Sequence, residues 1–279
     1  MIRLRLGVLL ALAVAFGAIS HAPKAMAAAE VHRLNLVISG IPSQLNGGGM
    51  NDMLARYNEY PLGDRFQALD KITMGWLFDA ELRYFVRPNF ALAAGLGQLK
   101  TESKREFQRA IGADVVLRGD ILTVPIHVGG LYYLAPYTQG DFQARAFVGG
   151  GLLSMTTTRA RFSTYEVGLP MRGDTLEDLS LGGTSELVAR GESSGYYAEF
   201  GAHLFFAARY SVMLGAIYRS AVIRQVTNEG VIMVPYLVPG SDPRVYLPRP
   251  LLDHDDRPVR IPDVDLGGIG LRMAVGIGF

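Results

Sequence analysis

The sequence predicts an all-β protein, an eight-stranded antiparallel up-and-down transmembrane β-barrel with short periplasmic turns and long extracellular loops, one loop being partly helical. The chain is apolar, with 49% hydrophobic residues and a mean hydropathy of +0.19, yet no segment beyond the N-terminus is long enough for a spanning helix. Apolar residues alternate with small or polar ones, and short connections alternate with long ones. A closed barrel satisfies these observations, because in lipid every backbone polar group must be paired internally.

The first residues have the pattern of a secretory signal peptide. Arg3 and Arg5 form a cationic start, residues 6–19 are apolar, and Ala25-Met26-Ala27 is a small-residue cleavage site. We therefore expect residues 1–27 to be removed on export and residues 28–279 to form one outer-membrane barrel domain. The sequence contains no cysteine, so the exported protein must be stable without disulfides.

Eight segments have the length and period-two alternation of strands: residues 31–39, 72–86, 90–100, 121–135, 142–155, 195–208, 212–226 and 264–279. A tilted transmembrane strand needs about 9 to 11 residues, and these segments reach that length. The connections 87–89, 136–141 and 209–211 are tight, whereas the other gaps contain roughly 20 to 40 residues. This alternation is typical of a barrel with turns at one rim and loops at the other.

The last predicted strand shows most clearly how the two faces divide. Its bulky apolar residues share one parity and are expected to face lipid, whereas its glycines and Arg272 share the other. Segments 195–208 and 72–86 repeat the pattern, with aromatic and aliphatic residues outward and charged residues inward. A soluble lipocalin-like ligand-binding barrel is an alternative with the same strand count, but it requires apolar residues inside and polar residues outside.

Inward positions of the predicted strands carry both signs of charge. An isolated charge is costly to desolvate, so we expect these side chains to pair into a polar network that fills the narrow lumen of an eight-stranded barrel. A conducting pore is the less favoured interpretation, and the histidines are expected to be hydrogen-bonded rather than metal ligands. The predicted network contains Asp79, Glu81, Arg83, His127, Arg145, Glu199, His203, Arg219 and Arg272.

The order and spacing of these segments resemble the small bacterial outer-membrane barrels of the OmpA, OmpX and OmpW type. The resemblance includes residues 122–126 leading to Tyr132-Tyr133, residues 146–151 and the terminal Phe279, and it covers nearly the whole mature chain. It implies an integral protein of the Gram-negative outer membrane that contacts outer-membrane lipid and lipopolysaccharide. In that family a terminal aromatic with alternating apolar residues resembles the signal read by the barrel-assembly machinery. Here that signal corresponds to Leu271, Met273, Val275, Ile277 and Phe279.

The predicted loops carry several polar or apolar groups. Residues 51–60 and 64–71 have helical spacing, which indicates a lid over the barrel mouth or a helix packed on other loops. Basic residues just beyond the third strand would suit lipopolysaccharide phosphates, but interleaved glutamates favour an ordinary solvated cluster. These basic residues are Lys100, Lys104, Arg105 and Arg109. The apolar, proline-rich loop 227–262 is a candidate contact surface.

Three functions follow, and the first is favoured: a structural or surface-interaction role with a side-chain-filled lumen. The second is OmpW-like passage of a small or hydrophobic solute through a lateral path, with which Pro125 is compatible. The third is the lipocalin-like barrel.

Asp253-His254-Asp255-Asp256 is the one compact carboxylate and imidazole cluster in the sequence. No nucleophile and base stand at a familiar spacing, so we expect no enzyme, cofactor or metal site. The net charge of +1 argues against a nucleic-acid partner.

Overall fold

The computed structural model describes residues 32–59, 68–108, 114–167, 184–206, 209–224, 226–236, 245–250 and 260–279. The predicted signal peptide, residues 1–27, lies outside these ranges. The strands of the described chain are β1 Leu34–Gln44, β2 Met74–Arg87, β3 Phe90–Gln108, β4 Asp114–Tyr133, β5 Tyr137–Gln139, β6 Phe142–Val167, β7 Thr184–Phe206, β8 Tyr210–Ser220, β9 Val222–Ile223, β10 Thr227–Tyr236, β11 Val245–Pro250, β12 Val264–Asp265 and β13 Gly268–Gly278. The helix α1 is Gly49–Glu59.

Eight antiparallel strands form a closed ring in the order β1, β2, β3, β4, β6, β7, β8, β13 and back to β1. Closure runs from the pair Asn35↔Gly278 to the pair Ser43↔Gly270. Every strand of the ring thus has a partner on both edges, which leaves no row of unpaired backbone groups at a seam. The predicted eight-stranded up-and-down barrel is confirmed.

Tight connections lie at one rim, as predicted. Pro88 and Asn89 join β2 to β3, and proline suits this turn because its φ is already fixed and it has no N–H to satisfy. The connection after β4 contains the short strand β5, which turns into β6 through Gly140 and Asp141. Gly140 has a φ of 57°, a left-handed conformation that favours glycine at this turn.

The strands on the other rim are longer than the sequence predicted. The third strand was expected to end at residue 100 but continues to 108, and the fourth begins at 114 rather than 121. Likewise β6 continues to 167 and β7 begins at 184. These extensions keep the alternation of a strand but carry polar residues outward, so they do not have the pattern of a lipid-facing segment. We call these extended parts the upper wall; it comprises residues 101–108 of β3, 114–120 of β4, 156–167 of β6 and 184–194 of β7.

Two other predicted boundaries were wrong. The first strand was expected at 31–39 and lies at 34–44, and the seventh was expected to reach 226, whereas β8 ends at Ser220. Beyond that residue β9 pairs with β12. Loop 227–262 includes the β10–β11 hairpin, and β10 pairs with the upper part of β7 from Thr227↔Arg190 to Met233↔Thr184. Its β-branched and aromatic residues give this segment strand propensity despite its prolines. The cluster 253–256 lies outside the described residues.

Helix α1 occupies the mouth of the barrel on the upper-wall side. It buries Met50, Met53 and Leu54 in an apolar cluster with inward residues of the upper wall. The Asn51 side chain donates to the Asn46 and Ile72 carbonyls at 2.8 and 2.9 Å and accepts from the Ile72 N–H at 2.7 Å. The predicted helix at 51–60 is therefore present. The described part of the predicted helix at 64–71, residues 68–71, is not helical.

No helix within the described ranges is both long enough and apolar enough to cross a membrane.

Candidate functional site: the charged lumen

The outer surface of the ring below the upper wall is a continuous apolar band. Phe78, Leu96, Leu152, Phe200 and Val275 are 61 to 69% exposed on five different strands. This is the parity that the sequence predicted for the lipid face. Aromatic residues lie towards both edges of the band; they are Trp76, Phe78, Tyr196 and Tyr218 towards the upper wall, and Tyr84, Phe90, Tyr137, Phe206, Tyr210 and Phe279 towards the turns.

The nine residues predicted for the lumen all have buried side chains. Each belongs to the inward parity of its strand, and none is more than 8% exposed. Alternation along β2, for example, leaves every second residue from Gly75 to Phe85 buried and the residues between them exposed. The strand period thus carries Asp79, Glu81 and Arg83 to one interior stripe, where residues from β4, β7 and β13 contact them.

Arg272 is the centre of this interior. One guanidinium nitrogen donates to Glu199 Oε2 at 2.7 Å. A second donates to Asp79 Oδ2 at 3.0 Å and to Glu81 Oε2 at 3.2 Å. Its Nε donates to the Ser39 hydroxyl at 3.0 Å. One buried cation thus connects carboxylates from β2 and β7 with a hydroxyl from β1.

Arg83 adds a second cation on the turn side of Arg272. Its Nε donates to Glu81, and its Nη1 donates to the Tyr133 hydroxyl at 2.9 Å. The guanidinium carbon also lies 5.5 Å from the centre of the Phe147 ring, within cation–π range. Arg83 therefore joins the charged layer to a layer of aromatic side chains next to the turns.

The two histidines take part in hydrogen bonds with neighbouring lumen residues. His127 Nε2 is 2.9 Å from Asp79 Oδ1, and His203 Nδ1 is 3.1 Å from the Tyr133 hydroxyl. Ligand atoms of Asp79, Glu81 and His127 lie within 4.8 Å of one another, a spacing that a metal ion would accept. Arg272 donates to both of these carboxylates, so a metal ion bound by this set would have to share them with the guanidinium or displace it.

Arg145 and Arg219 lie apart from that cluster. Arg145 Nε donates to Gln143 Oε1 at 2.7 Å, and its Nη1 donates to the Pro88 carbonyl at the turn rim. All three nitrogens of Arg219 are buried without a hydrogen-bond partner in the described chain. The structure therefore gathers seven of the nine predicted residues into one connected cluster, and leaves these two outside it.

Apolar layers bound the charged layer on both sides. The layer towards the turns consists of the aromatic rings of Phe85, Tyr133, Phe147 and Phe205. The ring centre of Tyr133 lies 5.1 Å from that of Phe85 and 5.7 Å from that of Phe147, and the ring centres of Phe85 and Phe205 are 6.5 Å apart. Towards the upper wall lies the cluster that includes α1. A hydrated ion would have to displace these side chains as well as the salt bridges. The described side chains thus occupy the lumen at three successive levels along its axis.

Three of the four basic residues predicted near the third strand form ion pairs within the described chain. Lys104 and Arg105 lie within β3 rather than beyond it, because the strand is longer than predicted. Lys104 pairs with Glu106, and Arg105 Nη2 lies 2.6 Å from Asp70 Oδ2. Lys100 Nζ is 3.9 Å from Glu102 Oε2. Arg109 lies outside the described residues.

The outer face of the upper wall carries a ladder of ion pairs that the sequence did not indicate. Arg118 Nε lies 3.1 Å from Glu102 and 3.3 Å from Asp120, and Arg161 Nε lies 2.9 Å from Asp120. The hydrogen bond to Asp120 raises the pKa of the Arg161 guanidinium above its ordinary value. These residues belong to β3, β4 and β6, so only the register of three strands brings them together.

A groove interrupts the wall between β7 and β8. The pairing of β7 with β8 ends at Tyr196↔Ser220. The same edge of β7 pairs with β10 from Arg190 onwards, so the stretch of β7 between these two residues pairs with neither β8 nor β10. The groove between these points has a volume of about 460 Å³, and its lining includes Glu192, Ser194 and Arg224. Sequence reasoning missed it, because the exchange of one partner strand for another leaves no local pattern.

Four of the five residues predicted as an assembly signal occupy the outward face of β13, and the fifth, Phe279, follows directly after the strand. Leu271, Met273, Val275, Ile277 and Phe279 are exposed, and the first four alternate with buried residues down to Gly278. Their strand is the one that closes the ring against β1.

Comparisons with known proteins find no family model and no curated protein that match this chain. Among solved structures, it is similar to the outer membrane protein OprG from Pseudomonas aeruginosa, with a TM-score of 0.44 and 13% identity over 91% of this chain and 99% of OprG. It is also similar to Ail, the attachment invasion locus protein of Yersinia pestis, solved in complex with the heparin analogue sucrose octasulfate. That match has a TM-score of 0.35 and 11% identity over 89% of this chain and 98% of Ail.

We predict that Arg272→Met destabilises the protein by about 3 to 5 kcal/mol, because it leaves three buried carboxylates without the cation they share. Urea unfolding of the protein refolded into lipid vesicles would measure the change. Arg224→Met, the same substitution at an exposed arginine, should change the unfolding free energy by less than about 0.5 kcal/mol. Equal losses in the two variants would mean that Arg272 does not hold the interior together.

Proposed function

We propose that this chain is an integral outer-membrane β-barrel, exported through a signal peptide at residues 1–27, with a structural or surface-interaction role and a side-chain-filled lumen. The observation that carries the proposal is the combination of an exposed apolar band with a buried charged interior. This distribution is the reverse of a water-soluble protein, in which a contiguous apolar surface of such extent would be costly. It is the expected distribution for a barrel whose solvent is lipid.

The dimensions of the band support membrane insertion. At about 3.4 Å per residue and a tilt of about 40°, the stretch from Trp76 to Tyr84 rises roughly 20 Å, close to the apolar height of about 25 Å in outer-membrane barrels. Aromatic residues near both edges resemble the girdles that position such barrels at the two interfaces. A lipocalin-like barrel would need the opposite faces, so the distribution argues against that alternative.

The upper wall supports the surface role. It projects beyond the apolar band, and its outer face carries the ion-pair ladder of Arg118, Asp120 and Arg161. A charged, rigid wall at this position would stand among the headgroups and saccharides of the outer leaflet, so we propose outer-membrane lipid and lipopolysaccharide as its surroundings. We propose the barrel-assembly machinery as the partner of the β13 residues ending at Phe279.

We propose a non-enzymatic role. His127 and His203 are engaged in hydrogen bonds inside the closed lumen, where a substrate would have to displace other side chains to reach them. The charged layer stabilises the interior of the barrel, which is a structural use of residue types that elsewhere perform acid–base chemistry.

Membrane insertion predicts a strong penalty for charge at the middle of the band. Leu214→Arg should destabilise the protein in lipid vesicles by about 2 to 4 kcal/mol. Tyr165→Arg, on the upper wall, should change stability by less than about 0.5 kcal/mol. The two positions are matched, since Leu214 is 51% and Tyr165 52% exposed. Equal stability of the two variants in vesicles would contradict membrane insertion at this band.

A closed lumen predicts the absence of ion conductance. Single-channel recording in planar bilayers should show no current steps from the folded protein, because the charged layer and both apolar layers obstruct the axis. A large porin in the same bilayers serves as the positive control. Folding of the test sample should be verified by its faster migration on gels before boiling than after boiling. Reproducible current steps from the folded sample would refute the side-chain-filled lumen.

Passage of a small or hydrophobic solute is a second candidate, and the groove between β7 and β8 favours it. The groove lies directly above Tyr196 at the edge of the apolar band, where a solute could enter or leave laterally. Pro125 gives less support, because it is buried on β4 and lies opposite Met155 of β6 rather than at the groove.

If the groove is a passage, Ser194→Trp should abolish uptake of a small hydrophobic fluorescent solute by vesicles that contain the protein, because the indole would fill the groove. Gln98→Trp, at an exposed position of β3 away from the groove, should leave uptake unchanged. No uptake above that of protein-free vesicles by the unsubstituted protein would remove this second candidate.

A further inference from the structure

Strand β6 changes its register against both neighbours where the upper wall begins. Its pairing with β4 shifts between Leu122 and Val124 of that strand, and its pairing with β7 shifts between its own Met155 and Thr158. At both places β6 contains one residue more than the strand beside it, which is a β-bulge. Because a shift of one residue moves every later side chain to the opposite face, this bulge decides which residues of β6 face outward.

The bulge turns two arginines out of the barrel. Met155 and Ala160 are both buried, although one is odd-numbered and the other even-numbered. Without the extra residue, Arg159 and Arg161 would share the inward face with Met155 and would lie in the apolar cluster that contains it. Thr157 has a φ of 48° at the bulge, a left-handed conformation that is unfavourable for a β-branched residue. The chain thus keeps a strained residue at the point that places both arginines on the outer face.

The two arginines differ in what they contact. Arg161 belongs to the ion-pair ladder, with its Nε 2.9 Å from Asp120 Oδ1. Arg159 has no ion pair among the described residues, and its Nε is buried without a hydrogen-bond partner there. Directly opposite Arg159 in the register of β6 and β7 lies Arg190, which is exposed on the same outer face. The bulge thus brings Arg159 to a second arginine instead of a carboxylate.

This pairing of two arginines is unfavourable by itself. Directly opposite residues on one face of an antiparallel pair have their Cβ atoms about 5 Å apart, so like charges there repel each other. Glu192 and Glu229 are exposed near Arg190, but neither forms an ion pair with Arg190 or Arg159 in the part of the chain that is described. An anion that accepts from both arginines would remove the repulsion, and guanidinium groups bind phosphate oxygens in a bidentate geometry.

The height of the pair above the apolar band indicates where such a phosphate would be carried. Arg190 lies six residues beyond Tyr196, the aromatic residue at the upper edge of the band on β7. At about 3.4 Å per residue and a tilt of about 40°, this separation is roughly 15 Å. Phospholipid headgroups extend only about 5 to 8 Å beyond the hydrocarbon on each side of a bilayer. A phosphate on the saccharide of a glycolipid reaches the level of Arg190, whereas a phospholipid phosphate does not.

We propose that Arg159 and Arg190 form an outward-facing binding site for a phosphate group on the saccharide of outer-leaflet lipopolysaccharide. Both guanidinium groups donate to the phosphate oxygens, and the negative charge offsets the repulsion between the two arginines. The proposal rests on the proposed outer-membrane location and adds the residues that contact the glycolipid. The basic residues of β3 that the sequence singled out, Lys100, Lys104 and Arg105, are instead engaged in ion pairs.

The experiment measures the binding of fluorescent lipopolysaccharide to the refolded protein in detergent micelles. Three unlabelled competitors are compared: intact lipopolysaccharide, the same material after phosphatase treatment, and phosphatidylglycerol. Intact lipopolysaccharide should compete best, and phosphatase treatment should weaken its competition by at least about tenfold, because it removes charge-assisted hydrogen bonds. Phosphatidylglycerol and inorganic phosphate test whether a phosphate without a saccharide is sufficient, and both should compete poorly.

Substitutions then assign the binding to this pair. Arg159→Gln and Arg190→Gln should each weaken the binding of intact lipopolysaccharide by about tenfold and leave the binding of the phosphatase-treated material unchanged. Each of them also removes the repulsion, so the thermal unfolding midpoint without lipopolysaccharide should not fall below that of the unsubstituted protein. Arg224→Gln removes the same charge from an exposed arginine of the groove and is the matched control, which should keep the full affinity.

Three results would overturn the proposal. Equal competition by intact and phosphatase-treated lipopolysaccharide would mean that no phosphate is recognised. Unchanged affinity in both Arg159→Gln and Arg190→Gln would place the phosphate elsewhere. Competition by phosphatidylglycerol or inorganic phosphate as strong as that of lipopolysaccharide would assign the site to phosphate from another source. All three leave the membrane location intact, whereas failure of the unsubstituted protein to insert into phospholipid vesicles would contradict the proposed function itself.

Discussion

An apolar exterior is compatible with a stable protein only if no backbone hydrogen-bonding group is left at a sheet edge, and this constraint shapes the whole molecule. The pairing of β1 with β13 meets it by closing the ring. Closure makes the inside and outside of each strand different environments. The period of two along each strand then decides the placement of every side chain, so a bulky apolar residue outside requires a small or polar residue inside.

Closure of the ring also imposes a desolvation cost on the polar residues of the lumen. Eight strands enclose a space that side chains can fill, and polar residues within it lose most of their water. Arg272 resolves most of this cost by contacting three carboxylates from two strands. The aromatic layer beside Tyr133 and the apolar layer around α1 border the charged layer on either side, and an apolar surrounding strengthens ion pairs. Arg219 shows the limit of this arrangement, since none of its three nitrogens has a hydrogen-bond partner among the described residues.

The upper wall and the groove show what the ring allows once it leaves the apolar band. There β3, β4, β6 and β7 remain paired but exchange apolar outer residues for charged ones. β7 also changes its partner from β8 to β10, which opens the wall at Tyr196. The same strands therefore provide a base with an apolar outer surface and, beyond it, a wall with a polar outer surface. Surface contact and lateral passage are both proposals about this upper region, whereas the charged layer belongs to the base.

The amino-acid sequence by itself determined the strand number, the positions of the turns and the two faces of each strand, because alternation and turn residues are local properties. It also determined which charged residues point inward, including Asp79, Glu81 and Arg83 of β2. The tertiary structure decided which of them meet: Glu199 and Asp79 share Arg272 only because closure sets the register of distant strands. The length of the upper wall, the exchange of partners on β7 and the isolation of Arg219 likewise depend on pairings between segments far apart in the chain, for which no local pattern exists.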